Sequence, residues 1–141
     1  MNDPSTFFWT VASAVTIFVL GQIYLKGFVE PLLDLRKEIG QTAYILEFYW
    51  NRMFAEGAEG EELRKKIRDN ACDLYRKSQT PIVYSSCRFL FGMPAREDIH
   101  KASRRLIGLS NQVGERTPED PKIKRKEEIY KLLKIENFEE K

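Results

Sequence analysis

The sequence offers few side chains that could carry out catalysis. His100 is the only histidine, and Cys72 and Cys87 are the only cysteines. Two thiols and one imidazole make a poor zinc set, and a nucleophile–base pair would have to use His100, which nothing in the spacing supports. The sequence also lacks a glycine-rich phosphate-binding fingerprint. We therefore predict a protein that is not an enzyme, with no catalytic residue, metal or cofactor, and the roles of these three side chains stay open.

The basic residues are more informative because they are concentrated in one part of the chain. Residues 64–116 contain twelve Lys and Arg against five Asp and Glu, whereas residues 1–59 contain four basic and seven acidic residues. Such a surplus suits anionic lipid headgroups or an anionic ligand such as a single-stranded oligonucleotide, whose bases could stack on nearby aromatic rings. The candidate phosphate contacts are Arg64, Lys65, Lys66, Arg68, Arg76, Lys77, Arg104 and Arg105.

An uncharged segment near the N-terminus predicts a helix that spans a membrane. Residues 4–25 contain no Asp, Glu, Lys or Arg. As a helix, residues 7–25 would extend roughly 28 Å, close to the hydrocarbon core of about 30 Å. Trp9 and Tyr24 occupy the positions of the aromatic belts. A signal peptide would need a basic start and a small-residue cleavage site, which this segment lacks, and a core helix of a soluble bundle is the other alternative.

The flanking charges predict the orientation of this single span. No Lys or Arg precedes it, whereas Lys26, Arg36 and Lys37 follow it. Positive charge is retained on the cytoplasmic side of membranes. We therefore expect the N-terminus outside, the remainder of the chain in the cytoplasm, and membrane lipid as one partner.

A polar side chain inside the span predicts that copies of the chain associate. Threonine and serine hydroxyls can bond to carbonyls of their own helix, but Gln22 more naturally bonds to a neighbouring helix or lines a wet path. A single span offers no neighbouring helix from its own chain, so a homo-oligomer is the simplest solution. The positions predicted to line the axis of such a bundle or channel are Phe7, Val11, Ala14, Phe18, Gly21, Gln22 and Leu25.

Apolar residues continue at coiled-coil spacing after the span. Steps of three and four residues define a predicted oligomer seam at Leu32, Leu35, Ile39, Leu46, Tyr49 and Met53. Further apolar residues widen this stripe, which favours the alternative that the helix packs on its own domain. Both arrangements can hold together if one edge of the stripe faces a second copy and the other edge faces the later helices of the same chain. Pro31 lacks an amide donor, and we expect a kink or short break at residues 26–31.

The rest of the chain is predicted to be helical, which makes the fold class all-α. Amphipathic helices are expected at residues 61–78, 95–113 and 122–135, with a loop at 55–60 and a short helix at 81–91. We divide the chain into a tail and transmembrane helix (1–28), a cytoplasmic helical domain for oligomerisation and sensing (29–116), and a linker with a C-terminal amphipathic helix (117–141).

Short motifs resemble those of small bacterial membrane effectors of anti-phage defence. They are Glu30-Pro31, Ile39-Gly40 and the sequence LIGLSN at residues 106–111. The order of parts is similar to that of the Hailong membrane effectors, and secondly to the membrane pore of type VI CRISPR systems. The first resemblance implies a tetrameric channel in the bacterial inner membrane, built by the N-terminal helices and restrained by single-stranded DNA oligomers from a partner nucleotidyltransferase. Opening would depolarise the membrane and abort infection. A membrane anchor that recruits a soluble partner is the alternative function.

Overall fold

The structure is a computed structural model that describes residues 4–54, 57–79, 84, 89, 91–114 and 119–136. Within these ranges every regular element is helical and no strand occurs, which confirms the all-α prediction. The elements are α1 (Pro4–Tyr24), a π-helical turn (Leu25–Val29), α2 (Glu30–Phe48), a 3-10 turn (Trp50–Phe54), α3 (Ala58–Gln79), α4 (Arg96–Asn111) and α5 (Glu119–Leu133).

The helices α1 and α2 form one continuous helix that is joined by the π-helical turn. We expected a kink or a short break at residues 26–31. The helix is not broken there, but it departs from α-helical geometry in the π-helical turn, where the Glu30 amide donates to the carbonyl of Leu25, five residues back. Pro31 lies in the first turn of α2, just after this wider turn. A π turn holds one residue more than an α turn, so it rotates the faces of α2 relative to α1 by about 100°.

The second half of this helix packs into a bundle with α3, α4 and α5. α3 runs antiparallel to α2, because Lys66 contacts Tyr49 near the end of α2 while Lys77 reaches back to Glu38. α4 runs antiparallel to α3 in turn. The core consists of apolar residues at helical spacing, including Ile67, Ala71 and Leu74 of α3 and Ile99, Ala102, Leu106 and Leu109 of α4.

The predicted oligomer seam lies mostly in this core. Leu32, Leu35, Ile39, Leu46 and Met53 are buried within one chain, and Tyr49 is half-buried beside α3. The heptad spacing is therefore explained by packing of α2 on its own domain, the alternative that the wide stripe favoured. These five residues are not available to a second copy unless the bundle opens, and any contact between copies must use another face of α2.

The C-terminal helix α5 also belongs to the bundle. Ile129, Tyr130 and Leu133 are buried in the same core as α2, α3 and α4. Residues 119–136 are therefore packed on the domain at 29–116, although we predicted them as a separate C-terminal segment. The sequence boundary at residue 117 reflects the composition of a linker, which does not indicate where the helix beyond it packs.

Two predicted connections differ in length from expectation or lie outside the described residues. α3 begins at Ala58, so part of the predicted loop at 55–60 is helical. The predicted short helix at 81–91 falls largely on residues that are not described, although Tyr84 and Phe89 have helical backbone. The Tyr84 hydroxyl donates to the carbonyl of Pro94 over 2.6 Å. This bond ties the connection to the start of α4.

Candidate functional site

The surface of α1 is the most unusual surface of the molecule. It is 21 residues long, and none of its described side chains is buried. All the positions predicted to line a channel axis are exposed except Gln22, which is half-buried. One helix of the described chain is long and apolar enough to cross a membrane, by its length and composition.

The polar side chains of α1 fall into two groups. The hydroxyls of Thr10, Ser13 and Thr16 each donate to a carbonyl three or four residues back, over 2.8–2.9 Å. These bonds satisfy the hydroxyls inside the helix itself. The amide of Gln22 has no hydrogen-bond partner among the described residues. In hydrocarbon, this amide would need a bond from another helix or from water.

The π-helical turn connects the predicted channel face of α1 to an exposed stripe on α2. Tyr44 lies nineteen positions after Leu25, and the π-helical turn takes up one of them. The other eighteen steps of about 100° make about five full turns, so Tyr44 lies on the same side of the helix as Leu25. Leu33, Gly40 and Phe48 lie within roughly 40° of the same line. Tyr44 and Phe48 are 49% and 61% exposed, their rings stack at 5.2 Å, and the surface of Gly40 is open. We call Leu33, Gly40, Tyr44 and Phe48 the outer stripe.

Two of the predicted phosphate contacts hold α3 against the end of α4. Arg64 donates to the carbonyl of Val113 over 2.9 Å, and it also pairs with Glu61 over 2.8 Å. Arg68 donates to Ser110 Oγ over 3.3 Å and to Asn111 Oδ1 over 2.6 Å. The carbonyls at a helix C-terminus lack intrahelical partners, so cations stabilise this end. Both arginines therefore have structural roles in this chain.

This contact explains most of the LIGLSN sequence. Leu106 and Leu109 are buried in the core, and Ser110 and Asn111 accept the bonds from Arg68. Gly108 allows a close approach, although of a side chain and not of a backbone: a Cβ there would lie 2.6 Å from Nη1 of Arg125. The LIGLSN sequence thus packs α4 against α3 and α5.

The remaining predicted phosphate contacts divide into engaged and exposed residues. Lys66 donates to the Tyr49 hydroxyl over 3.0 Å, which raises the pKa of Lys66, and Arg105 pairs with Glu128 over 3.0 Å. Arg76 pairs with Asp73 on the surface. Lys65 and Arg104 are exposed, and no ion pair to either occurs among the described residues. The structure does not bring the eight predicted residues together into one site.

A groove between α4 and α5 does not form an anion site either. It has a volume of about 440 Å³ and mixes both signs of charge, since its lining residues are Asp98, Lys101, Arg105, Glu128, Lys131 and Leu132. The acidic residues oppose the approach of a phosphate group. The exposed basic residues of α3 and α4 are therefore the remaining candidates for binding an anionic ligand.

A buried polar network between α2 and α3 was not predicted from the sequence. Asn70 donates to Glu38 over 2.8 Å and accepts from Thr42 over 2.9 Å, while Lys77 donates to the second oxygen of Glu38. Glu38, Thr42 and Asn70 are all buried. Buried polar groups of this kind are satisfied only in one arrangement, so the network fixes the register of α2 on α3. Thr42 on the apolar seam was the only sequence signal for it.

A second polar contact joins α2 to α5. Tyr130 and Lys126 donate to the carboxylate of Glu47 over 2.5 Å and 3.1 Å. Partial burial of Glu47 would raise its pKa, but the two hydrogen bonds and the charge of Lys126 outweigh it, so the pKa of Glu47 is lowered. Lys126 Nζ also lies 4.9 Å from the ring centre of Trp50. The contact depends on an ionised carboxylate.

The residues considered for catalysis are not assembled into a site. The amide nitrogen of Gln79 donates to Nε2 of His100 over 2.8 Å, and the ring of Tyr75 lies 4.6 Å from the imidazole. Cys72 is exposed and has no disulfide partner in the described part of the chain, and Cys87 lies outside the described residues. No group of three or more potential metal ligands occurs among the residues that the structure describes.

Comparisons with known proteins add no assignment to this geometry. No protein-family model, no curated protein and no solved structure matches the chain. The arguments for function therefore rest on the α1 surface, the outer stripe and the distribution of polar contacts.

Proposed function

We propose that the protein is a single-pass membrane protein whose copies assemble into a channel, with α1 in the bilayer and the α2–α5 bundle in the cytoplasm. One observation carries the proposal: the channel face of α1 and the outer stripe of α2 are aligned on one continuous helix, outside the core of their own chain. Chains inserted with the same orientation lie parallel, so a neighbouring copy would meet both surfaces together.

The unpaired amide of Gln22 supports assembly within the bilayer. Helices in lipid associate through small residues and through polar side chains that bond across the interface. Gly21 and Ala14 occupy the same face as Gln22, and all three are clear of the chain's own core. Gln22 can then bond to a second copy or to water along the axis of a pore.

The resemblance to Hailong effectors adds the biological setting to this proposal. It implies four subunits in the bacterial inner membrane, closure by single-stranded DNA oligomers and opening during abortive infection. Among the eight basic residues, Lys65 and Arg104 are the exposed candidates for the DNA contact, because each of the other six makes an ion pair or a hydrogen bond within the chain.

Ion flux from vesicles tests the channel. Purified protein in vesicles should release trapped ions, and short single-stranded DNA should slow the release. Phe18→Asp places a charge near the bilayer centre, at a cost of about 2.5–3.5 kcal/mol on insertion scales, and should abolish the flux without preventing expression. Gln22→Ala should change the flux, whereas the matched change Ile23→Ala beside it should not. Wild-type vesicles that hold their ions with and without DNA, or unchanged flux in Phe18→Asp, would contradict the channel.

A passive anchor is the second candidate, and one observation favours it: no described side chain of α1 is buried by the bundle. An anchor needs only hydrophobic length, so replacing residues 4–25 by an unrelated transmembrane helix should leave its function intact. The channel proposal predicts that the same replacement abolishes flux, because the axis-facing residues are lost.

A further inference from the structure

We propose that Phe89, together with Phe91, inserts into the membrane interface, so that the bundle contacts lipid at a second place besides α1. This inference rests on the membrane span of the proposed function. It assigns a partner, the boundary between lipid headgroups and acyl chains, to the two exposed rings of Phe89 and Phe91.

The first argument is the exposure of Phe89. Its side chain is 91% exposed, more than any other large hydrophobic residue recorded as exposed in the described chain, including those of α1. It does not stand alone, because the sequence at residues 89–91 is Phe-Leu-Phe and Phe91 is also exposed. An isolated exposed apolar residue needs no explanation, whereas two exposed aromatic rings two positions apart point to a surface that is covered in the working state.

The second argument is the height of this connection above the membrane. α3 is antiparallel to α2, and Asn70 is level with Thr42 through their hydrogen bond. Gln79 follows Asn70 by nine residues on α3, and Leu33 precedes Thr42 by nine residues on the antiparallel α2, so Gln79 and Leu33 are level. Leu33 lies about 12 Å beyond Leu25 along the helix axis. The contact between Gln79 and His100 places the first turns of α4 at the same end. Phe89 lies in the connection between these two helix ends.

This height is close to the lipid headgroups. A bilayer of about 40–45 Å with a hydrocarbon core of about 30 Å has headgroup layers of roughly 5–7 Å on each side. If the hydrocarbon core of the bilayer ends near Leu25, the end of α3 lies within about two helical turns of the edge of that hydrocarbon core. The opposite end of the bundle, at Phe54, follows α2 and lies more than about 30 Å from the hydrocarbon core.

The sequence of this connection is basic as well as apolar. Residues 76–96 include Arg76, Lys77, Arg88 and Arg96 and no Asp or Glu. A surplus of Lys and Arg is attracted to anionic headgroups. The exposed rings should therefore insert into neutral lipid, and anionic lipid should strengthen the contact.

Tryptophan quenching by brominated acyl chains tests the insertion. In vesicles of phosphatidylcholine brominated on the acyl carbons closest to the headgroup, wild-type Trp9 reports the span. Trp9→Phe leaves only Trp50, at the far end of the bundle, and should show almost no quenching. Adding Phe89→Trp should restore quenching, whereas adding the matched change Phe54→Trp should not.

The outcomes separate the inference from the proposed function. No loss of quenching on Trp9→Phe would overturn the membrane span and, with it, the proposal. If Trp9 is quenched but Phe89→Trp adds no more quenching than Phe54→Trp, the second membrane contact is overturned and the membrane span stands. Quenching at position 89 that appears only with anionic lipid would overturn its apolar character. If the substitution at 89 disturbs the helix content, Phe91→Trp in the same background provides the same comparison.

Discussion

The two halves of the α1–α2 helix are surrounded in opposite ways. α1 is uncharged and buries none of its described side chains, whereas α2 carries charges on its surface and yet buries Glu38 and Thr42 beside its leucines. If water surrounded the whole chain, the more apolar half would be the buried one. The proposed function accounts for this difference: lipid would surround α1, whereas the protein core and water surround α2.

A pair of leucines on α2 provides the sharpest way to break this comparison. Leu46 is 0% exposed and Leu33 is 45% exposed. Leu46→Ala removes buried methyl groups and leaves a cavity, so it should lower the free energy of unfolding by about 2–5 kcal/mol. Within a single chain, Leu33→Ala should change it by less than about 0.5 kcal/mol. Thermal melts of both variants, made in detergent at a protein concentration at which light scattering shows single chains, measure the difference. Equal destabilisation under these conditions would show that the outer stripe is packed within one chain.

The buried polar network should have the next largest effect. Asn70→Ala leaves one oxygen of Glu38 without its donor and leaves the Thr42 hydroxyl with only the carbonyl of Glu38 as acceptor, which should cost about 1–3 kcal/mol. The exposed Asn51 provides a control, since Asn51→Ala removes the same group from a site outside the core. Denaturant unfolding of the full chain in detergent would detect the loss. An unchanged unfolding midpoint in Asn70→Ala would show that the network does not fix the register of α2 on α3.

The basic residues of α3 and α4 should separate into two classes. Arg68→Ala loses the bonds to Ser110 and Asn111 and should lower the free energy of unfolding by about 1 kcal/mol. Arg104→Ala should leave stability unchanged and weaken binding of a fluorescent single-stranded oligonucleotide. The salt dependence of that binding should also decrease, because a phosphate contact is lost. Oligonucleotide binding that survives Arg104→Ala together with Lys65→Ala would exclude these residues as the DNA contact.

Acidification should have the smallest effect, on the contact between α2 and α5. A carboxylate with a lowered pKa contributes stability above its ordinary pKa of 4.5, and this contribution is lost as the pH falls through the lower folded value. The melting temperature of the wild type should therefore decrease more than that of Glu47→Gln when the pH falls below about 4.5. Because Glu47 is partly exposed, solvent reduces the effect. Parallel pH profiles of the two proteins would show that Glu47 is not linked to stability.

The sequence predicted the features that depend on local pattern. The uncharged run at 4–25 and the 3.6-residue spacing of apolar residues were sufficient for the all-α class and the candidate span. The fate of the seam was less accessible, because heptad spacing is the same whether α2 packs on a second copy or on α3. The contacts of Arg64 and Arg68 could not be predicted, since they join residues more than forty positions apart. The π-helical turn depends on a backbone bond that sequence spacing does not specify.

The central claim is that copies of the chain associate through one face of the α1–α2 helix. The most direct test is the protein mass of the detergent-purified particle, measured by light scattering with the detergent contribution subtracted. We predict a discrete multiple of the 16.5 kDa chain for the wild type, and a shift toward 16.5 kDa when Tyr44→Glu and Phe48→Glu place charges on the outer stripe. A wild-type particle that contains a single 16.5 kDa chain would contradict the claim.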